Sequence, residues 1–248
     1  MQKITIFAVF ICVTLCNGSP TLQKIVGGDP TRPNEAPYMA SIKSPPPYNA
    51  LLCGGSIIAK RTIVTSARSL LNREPWEVVV TVGSLKLNYG GDRYMAEKII
   101  IHPNYHDHLV ANDIAVIILG EDLVLSPNVA IIPLFPLEGV EVDTVLKITG
   151  WGTDVTGGNL HNELQSLLTR SISFDSCNGF YGDTRVTQLC TWNKVGFGQC
   201  FGDQGNPLVT LDGELLGVVS WGAMCSMRAP DVYSSIPAFR DWLLANAV

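Results

Sequence analysis

The sequence predicts an all-β fold that ends in a single helix. Three observations lead there. Short runs of β-branched and apolar residues recur along the chain, separated by Gly, Pro, Asn and Asp. The 23 glycines and 15 prolines suit many tight turns. Only the last segment carries clear helical spacing, with Ile236, Phe239 and Leu243 on one face.

The segments follow in order. Lys3 and the apolar run from Ile4 to Leu15, with small residues at Gly18 and Ser19, read as a secretory signal peptide over 1–18. The run is too short to span a bilayer comfortably, which disfavours a membrane anchor. A polar stretch, 19–24, precedes Ile25-Val26-Gly27-Gly28, and a basic residue ahead of an apolar new terminus suits a cut after Lys24. Strands are predicted at Glu77 to Val82, Tyr94 to Ile101, Ile114 to Leu119, Val145 to Thr149 and Leu215 to Ser220. The stretch from Ser126 to Gly139 holds three prolines and suits a connection between two lobes. The final helix, about 236–246, has Ser235 to cap it and Pro237 in its first turn.

Composition bounds the rest. The 248 residues fit one large domain or two small lobes. With 46% hydrophobic and 16% charged residues the chain can bury a core, which argues against disorder. A net charge of −5 without a basic-aromatic patch argues against nucleic acid as a partner. After the signal no stretch is apolar enough to span a membrane. Cys12 and Cys16 leave with the signal, so Cys53, Cys177, Cys190, Cys200 and Cys225 remain in an oxidising compartment, and an odd count leaves one thiol without an internal partner.

Seven segments together resemble the chymotrypsin/trypsin family of serine proteases. They are Ile25-Val26-Gly27-Gly28, Cys53-Gly54-Gly55-Ser56, Thr65-Ser66-Ala67, Asn112-Asp113-Ile114-Ala115, Thr149-Gly150-Trp151-Gly152, Gly202-Asp203 with Gly205 and Pro207, and Ser220-Trp221-Gly222. They occur in the family's order and at its spacing. The resemblance implies two six-stranded antiparallel β-barrels with a cleft between them: barrel one over about 25–125, a connection over 126–139, barrel two over about 140–235. It implies no cofactor.

In that family a serine attacks the peptide carbonyl, a histidine relays the proton, a buried aspartate orients the histidine and backbone N–H groups bind the oxyanion. Here Arg68 follows Thr65-Ser66-Ala67, where the histidine is expected. A guanidinium stays protonated and cannot accept a proton. Gln204 stands where the serine is expected, in Gly202-Asp203-Gln204-Gly205-Asn206-Pro207, and a carboxamide is not a nucleophile. Of the triad positions Arg68, Asp113 and Gln204, only Asp113 matches. Losing one triad member costs roughly four to six powers of ten in turnover. The oxyanion-hole positions are Gly202 and Gln204. The resemblance also predicts an Arg68–Asp113 ion pair, since a buried carboxylate without a partner is costly. His106 and His108 lie in the loop ahead of Asp113; with Asp107 they offer too few ligands for a structural zinc and read as a polar surface loop.

The resemblance assigns further roles. Lys24, Ile25 and Asp203 match the activation parts, in which cleavage frees an isoleucine amine that pairs with the aspartate. The specificity-pocket positions are Gly198, Ser220, Gly222 and Asp231. Gly198 removes the acid of a trypsin-type base, and Asp231 replaces a glycine on the facing wall. This predicts a narrowed, acidic pocket; the alternative is a pocket for basic residues built from that other wall. Cys177–Cys190 and Cys200–Cys225 match two family disulfides. Cys53 matches half of a third whose partner position is Ser69, and losing such a bridge costs about 2–5 kcal/mol.

The expectation is therefore a secreted, proteolytically inactive protease homologue that binds a protein partner as a monomer, away from membranes. The chain also looks similar to the inactivated trypsin-like paralogues of parasitic, scabies-type mites, a subgroup linked to gut secretion and inhibition of host complement; host complement or other plasma proteins are the partners this implies. The alternatives are a serine-type endopeptidase with an unconventional constellation, and a storage protein with no specific partner.

Overall fold

The structure is a computed structural model, and it describes residues 27–136, 139–193, 197–223, 225 and 228–248. The signal expected over 1–18, the 19–24 stretch, Ile25 and Val26 lie outside the described residues.

Two closed six-stranded antiparallel barrels form the molecule. A two-residue strand β1 (Asp29–Pro30) precedes them. The first barrel uses β2 (Met39–Lys43), β3 (Leu51–Ala59), β4 (Thr62–Thr65), β5 (Val79–Val82), β6 (Asp92–Ile101) and β7 (Ala115–Leu119), closing in the order β2-β3-β4-β7-β6-β5. The second uses β8 (Val145–Gly150), β9 (Gln165–Ile172), β10 (Gln188–Trp192), β11 (Pro207–Thr210), β12 (Leu215–Gly222) and β13 (Asp231–Ser235). It closes through β8–β9 pairing, and β1 adds to it beside β9.

Each barrel has its own apolar centre. Ile42, Ile57, Ile63, Val80, Ile117 and Leu119 fill the first. Leu146, Ile148, Leu208, Leu216, Val219 and Tyr233 fill the second. A third cluster joins the barrels to the last helix, with Val64, Ile114, Val116, Trp151, Val218, Ile236 and Phe239 among its members. Trp151 of the Thr-Gly-Trp-Gly segment also donates its indole N–H to Leu85 O of the first barrel at 3.2 Å. One residue thus packs in the seam and ties the lobes by a hydrogen bond.

The C-terminal helix α2 (Ile236–Asn246) buries Ile236, Phe239 and Leu243, the face its spacing predicts. Ser235 occupies the N-cap position, but its side chain makes no capping bond. A second helix, α1 (Phe174–Tyr181), was not predicted. Ser173 caps it by accepting from Ser176 N at 3.1 Å, and Gly182 ends it in the left-handed region. Among the described residues no helix is long and apolar enough to cross a membrane.

Candidate active-site cleft

The cleft positions come from turns between strands. Arg68 follows β4, Asp113 precedes β7, and Ser220 lies on β12 of the other barrel. Asp113 is wholly buried. Its Oδ1 accepts from Arg68 N at 2.8 Å and Ser66 Oγ at 2.9 Å; its Oδ2 accepts from Ser220 Oγ at 2.6 Å and Ser66 Oγ at 3.1 Å. Burial pushes the Asp113 carboxyl above its ordinary value, and the Ser220, Arg68 N–H and Ser66 hydrogen bonds pull against that.

The expected Arg68–Asp113 ion pair is not formed. The Arg68 guanidinium turns outward to Asp107, with Nε 3.8 Å from Oδ1, and its side chain is 52% exposed. Tyr105 OH donates to the same Asp107 oxygen at 2.8 Å. The physical reason is length. An arginine tethered at this backbone position reaches past the histidine's volume, where its charge stays solvated. Two neutral hydroxyls and one amide satisfy the aspartate instead. Ser66 stands where the family run has alanine, and its hydroxyl is an added donor that only the folded site reveals.

None of the four histidines is hydrogen-bonded to Asp113. His102 packs edge-on against Phe239 and Trp242 of α2. His106 caps a turn by accepting from Leu109 N through Nδ1. His108 meets His106 edge-on, with 6.1 Å between ring centroids. His161 donates its backbone N–H to Trp151 O. No group of three or more His, Cys, Asp or Glu side chains among the described residues is arranged to hold a metal ion.

Gln204 is half-buried at the nucleophile position, and its carbonyl accepts from Gly54 N at 2.8 Å. Gly202, the other oxyanion-hole position, has φ +91°, and a Cβ there would sit 2.6 Å from Leu160 Cδ2. That close approach and left-handed backbone require glycine. Asp203 is fully buried and held by three donors: Gly152 N (2.9 Å) and Asn206 Nδ2 (2.8 Å) on Oδ1, and Cys200 N (2.9 Å) on Oδ2. Burial pushes its carboxyl up to about 7. Its expected processing partners, Lys24 and Ile25, lie outside the described residues.

The specificity-pocket positions converge. A Cβ on Gly198 would lie 2.8 Å from Asp231 Oδ2, and one on Gly222 would lie 2.9 Å from Gln199 Nε2. Asp231 is buried, and its Oδ2 accepts from Gln199 N at 3.1 Å. The Gln199 side chain reaches across to Trp221 O at 2.6 Å, and its Oε1 is buried without a partner. Between the two glycine walls, Gln199 and Asp231 therefore occupy the room a substrate side chain would need. Burial pushes Asp231 up to about 7 as well, helped by the charge on Asp203. Gln199 was not singled out in the sequence; its position between Gly198 and Cys200 was the available signal.

Disulfides join Cys177 to Cys190 and Cys200 to Cys225. Cys53 is a free, wholly buried thiol 3.3 Å from Thr65 Oγ1. Burial pushes it up to about 12 against hydrogen bonds from Thr65 and Ser69.

Twin barrels with a buried aspartate and a Gly-Asp-x-Gly turn at their seam define the architecture of a trypsin-type serine protease. The comparisons agree. The trypsin family model matches residues 25–243, so the chain belongs to the trypsin family. It is 32% identical over 222 residues to Chymotrypsin-2 of Vespa crabro, covering 90% of this chain and 99% of that protein. It is 34% identical over 227 residues to a trypsin of Xenopus laevis, covering 89% of each. It is 30% identical over 251 residues to the Clotting factor G beta subunit of Tachypleus tridentatus, covering 92% of this chain and 81% of that protein.

Proposed function

We propose that this trypsin-family chain does not hydrolyse peptides and acts by binding a protein partner, as a secreted monomer. The observation that carries the reading is the surroundings of Asp113. Its acceptor positions are taken by Ser66, Ser220 and the Arg68 amide, with no imidazole between it and the nucleophile position. Arg68 carries a fixed positive charge and Gln204 a carboxamide, so neither proton relay nor attack on a carbonyl has an agent. The filled room between Gly198 and Gly222 supports the same reading, because a substrate side chain would have to displace Gln199.

The cleft rim and loops then serve as contact surface. Host complement or other plasma proteins are the partners we propose, with inhibition of a proteolytic cascade as the outcome. The test has two arms: hydrolysis of a broad peptide library by the chain cut after Lys24, and complement-driven haemolysis with added chain. No cleavage is expected, and haemolysis should be inhibited saturably. Cleavage that vanishes in a Gln204→Ala variant would overturn the inactive reading; unaffected haemolysis would overturn the complement role.

A further inference from the structure

Asn206 stands where the family's Gly-Asp-Ser-Gly-Gly-Pro run has its last glycine. A glycine offers no side-chain donor there. Asn206 is wholly buried between the barrels. A Cβ on either Gly54 of β3 or Gly150 of β8 would run into its amide, so two glycines on facing lobes leave room for this one side chain. Its backbone is fixed on both sides, with its N–H donating to Asp203 O at 3.1 Å and its carbonyl accepting from Val219 N at 2.9 Å. The amide is aimed: Nδ2 donates to Asp203 Oδ1 at 2.8 Å, while Oδ1 faces Gly54 without a hydrogen-bond partner. Leaving a buried carbonyl oxygen unpaired is costly, and the reverse orientation would set that oxygen against the carboxylate. The carboxylate thus decides which way the amide points.

Asp203 shapes the turn beside the cleft. Its two oxygens gather Gly152 N, Cys200 N and Asn206 Nδ2, which ties the 200–206 turn to the Gly150–Gly152 segment. All three donors are neutral and internal to the folded barrels. We infer that Asn206 is a positioning residue: its amide holds Asp203 where a freed terminal amine would otherwise be needed, so the cleft keeps its form before any cut after Lys24. The functional consequence rests on the binding reading above. The chain engages its partner uncut, and cleavage does not gate it.

The experiment compares the secreted chain beginning at residue 19, uncut and cut after Lys24, by amide hydrogen exchange at Gly152, Cys200 and Gly205. Wild-type exchange is expected to agree within about threefold between the two forms, since local opening is already restrained. Asn206→Gly should exchange at least about tenfold faster uncut than cut. A tenfold slowing of the wild type on cutting would overturn the inference, as would an uncut Asn206→Gly chain as protected as the uncut wild type. If Asn206→Gly does not fold, the wild-type pair decides alone. Partner affinity measured on the same samples separates the two readings. Equal exchange with no binding leaves the latch standing and removes the binding function; binding that appears only after cutting overturns the ungated consequence.

Discussion

Ser66→Ala should destabilise the protein far more than Arg68→Ala. The Ser66 hydroxyl donates to both oxygens of the buried Asp113 carboxylate, at 2.9 and 3.1 Å. Hydrogen bonds to charged groups contribute about 1.5–3 kcal/mol, and the alanine leaves a buried acceptor short of a donor. Arg68 contributes its backbone N–H, which survives substitution, while its guanidinium is half in solvent and 3.8 Å from Asp107. A contact of that kind is worth about 0–1 kcal/mol. Urea titration followed by tryptophan fluorescence reads both variants against wild type. Expected losses are about 2 kcal/mol for Ser66→Ala and under about 0.5 kcal/mol for Arg68→Ala. Equal losses, or a larger loss for Arg68→Ala, would refute the argument that neutral donors hold the aspartate. That outcome would restore the ion pair which the sequence alone suggested.

Three further outcomes are expected. Asp203 and Asp231 are pushed up to about 7 in the fold from 3.8, so unfolding releases their protons and stability falls as pH rises from about 4 to about 7. Thermal melts across that window should show the decline and Asp231→Asn should flatten it; stability that rises over the window contradicts the assignment. The combined Arg68→His and Gln204→Ser variant should keep kcat/KM for chromogenic peptides below about 10⁴ M⁻¹s⁻¹, the lower edge of ordinary enzymes, because Gln199 and Asp231 still fill the pocket. Values well inside the ordinary range would show an open pocket. Ser69→Cys should form a disulfide with the buried, free Cys53, because position 69 follows Arg68 at the start of the turn beside it and its hydroxyl lowers the Cys53 thiol, and should raise stability by about 2–4 kcal/mol. Two free thiols in the denatured, unreduced variant, where the bridge leaves none beside the two native disulfides, would sink that geometry.

Much of the fold was legible because punctuation and periodicity are local. The predicted strands at Tyr94 to Ile101 and Val145 to Thr149 fall within β6 and β8. The strand β3 was harder, since Cys53-Gly54-Gly55-Ser56 sits at its centre and glycine reads as a turn residue; a Cβ on Gly54 would run into the Asn206 side chain, a contact that only the folded barrels reveal. Helix α1 escaped because Asn178 and Gly179 are weak helix formers, and a cap and a glycine stop decide its extent. At the site, residue identity was legible and side-chain direction was not. A position in a pattern fixes where Arg68 starts, but its length decides that it ends at Asp107. Ser66, Gln199 and Asn206 were visible as departures or neighbours; their roles emerge only when the two barrels bring Asp113, Asp231 and Asp203 beside them.

The inactive reading is tested most sharply by intact-mass analysis of the chain, cut after Lys24, after treatment with a fluorophosphonate, which phosphonylates an activated serine hydroxyl as fluoride leaves. No adduct is expected on the folded chain, because the hydroxyls of Ser66 and Ser220 are buried donors to Asp113 and no base is positioned to activate them. A stoichiometric adduct on the folded chain, mapped to a serine beside Asp113 and lost on unfolding, would contradict it.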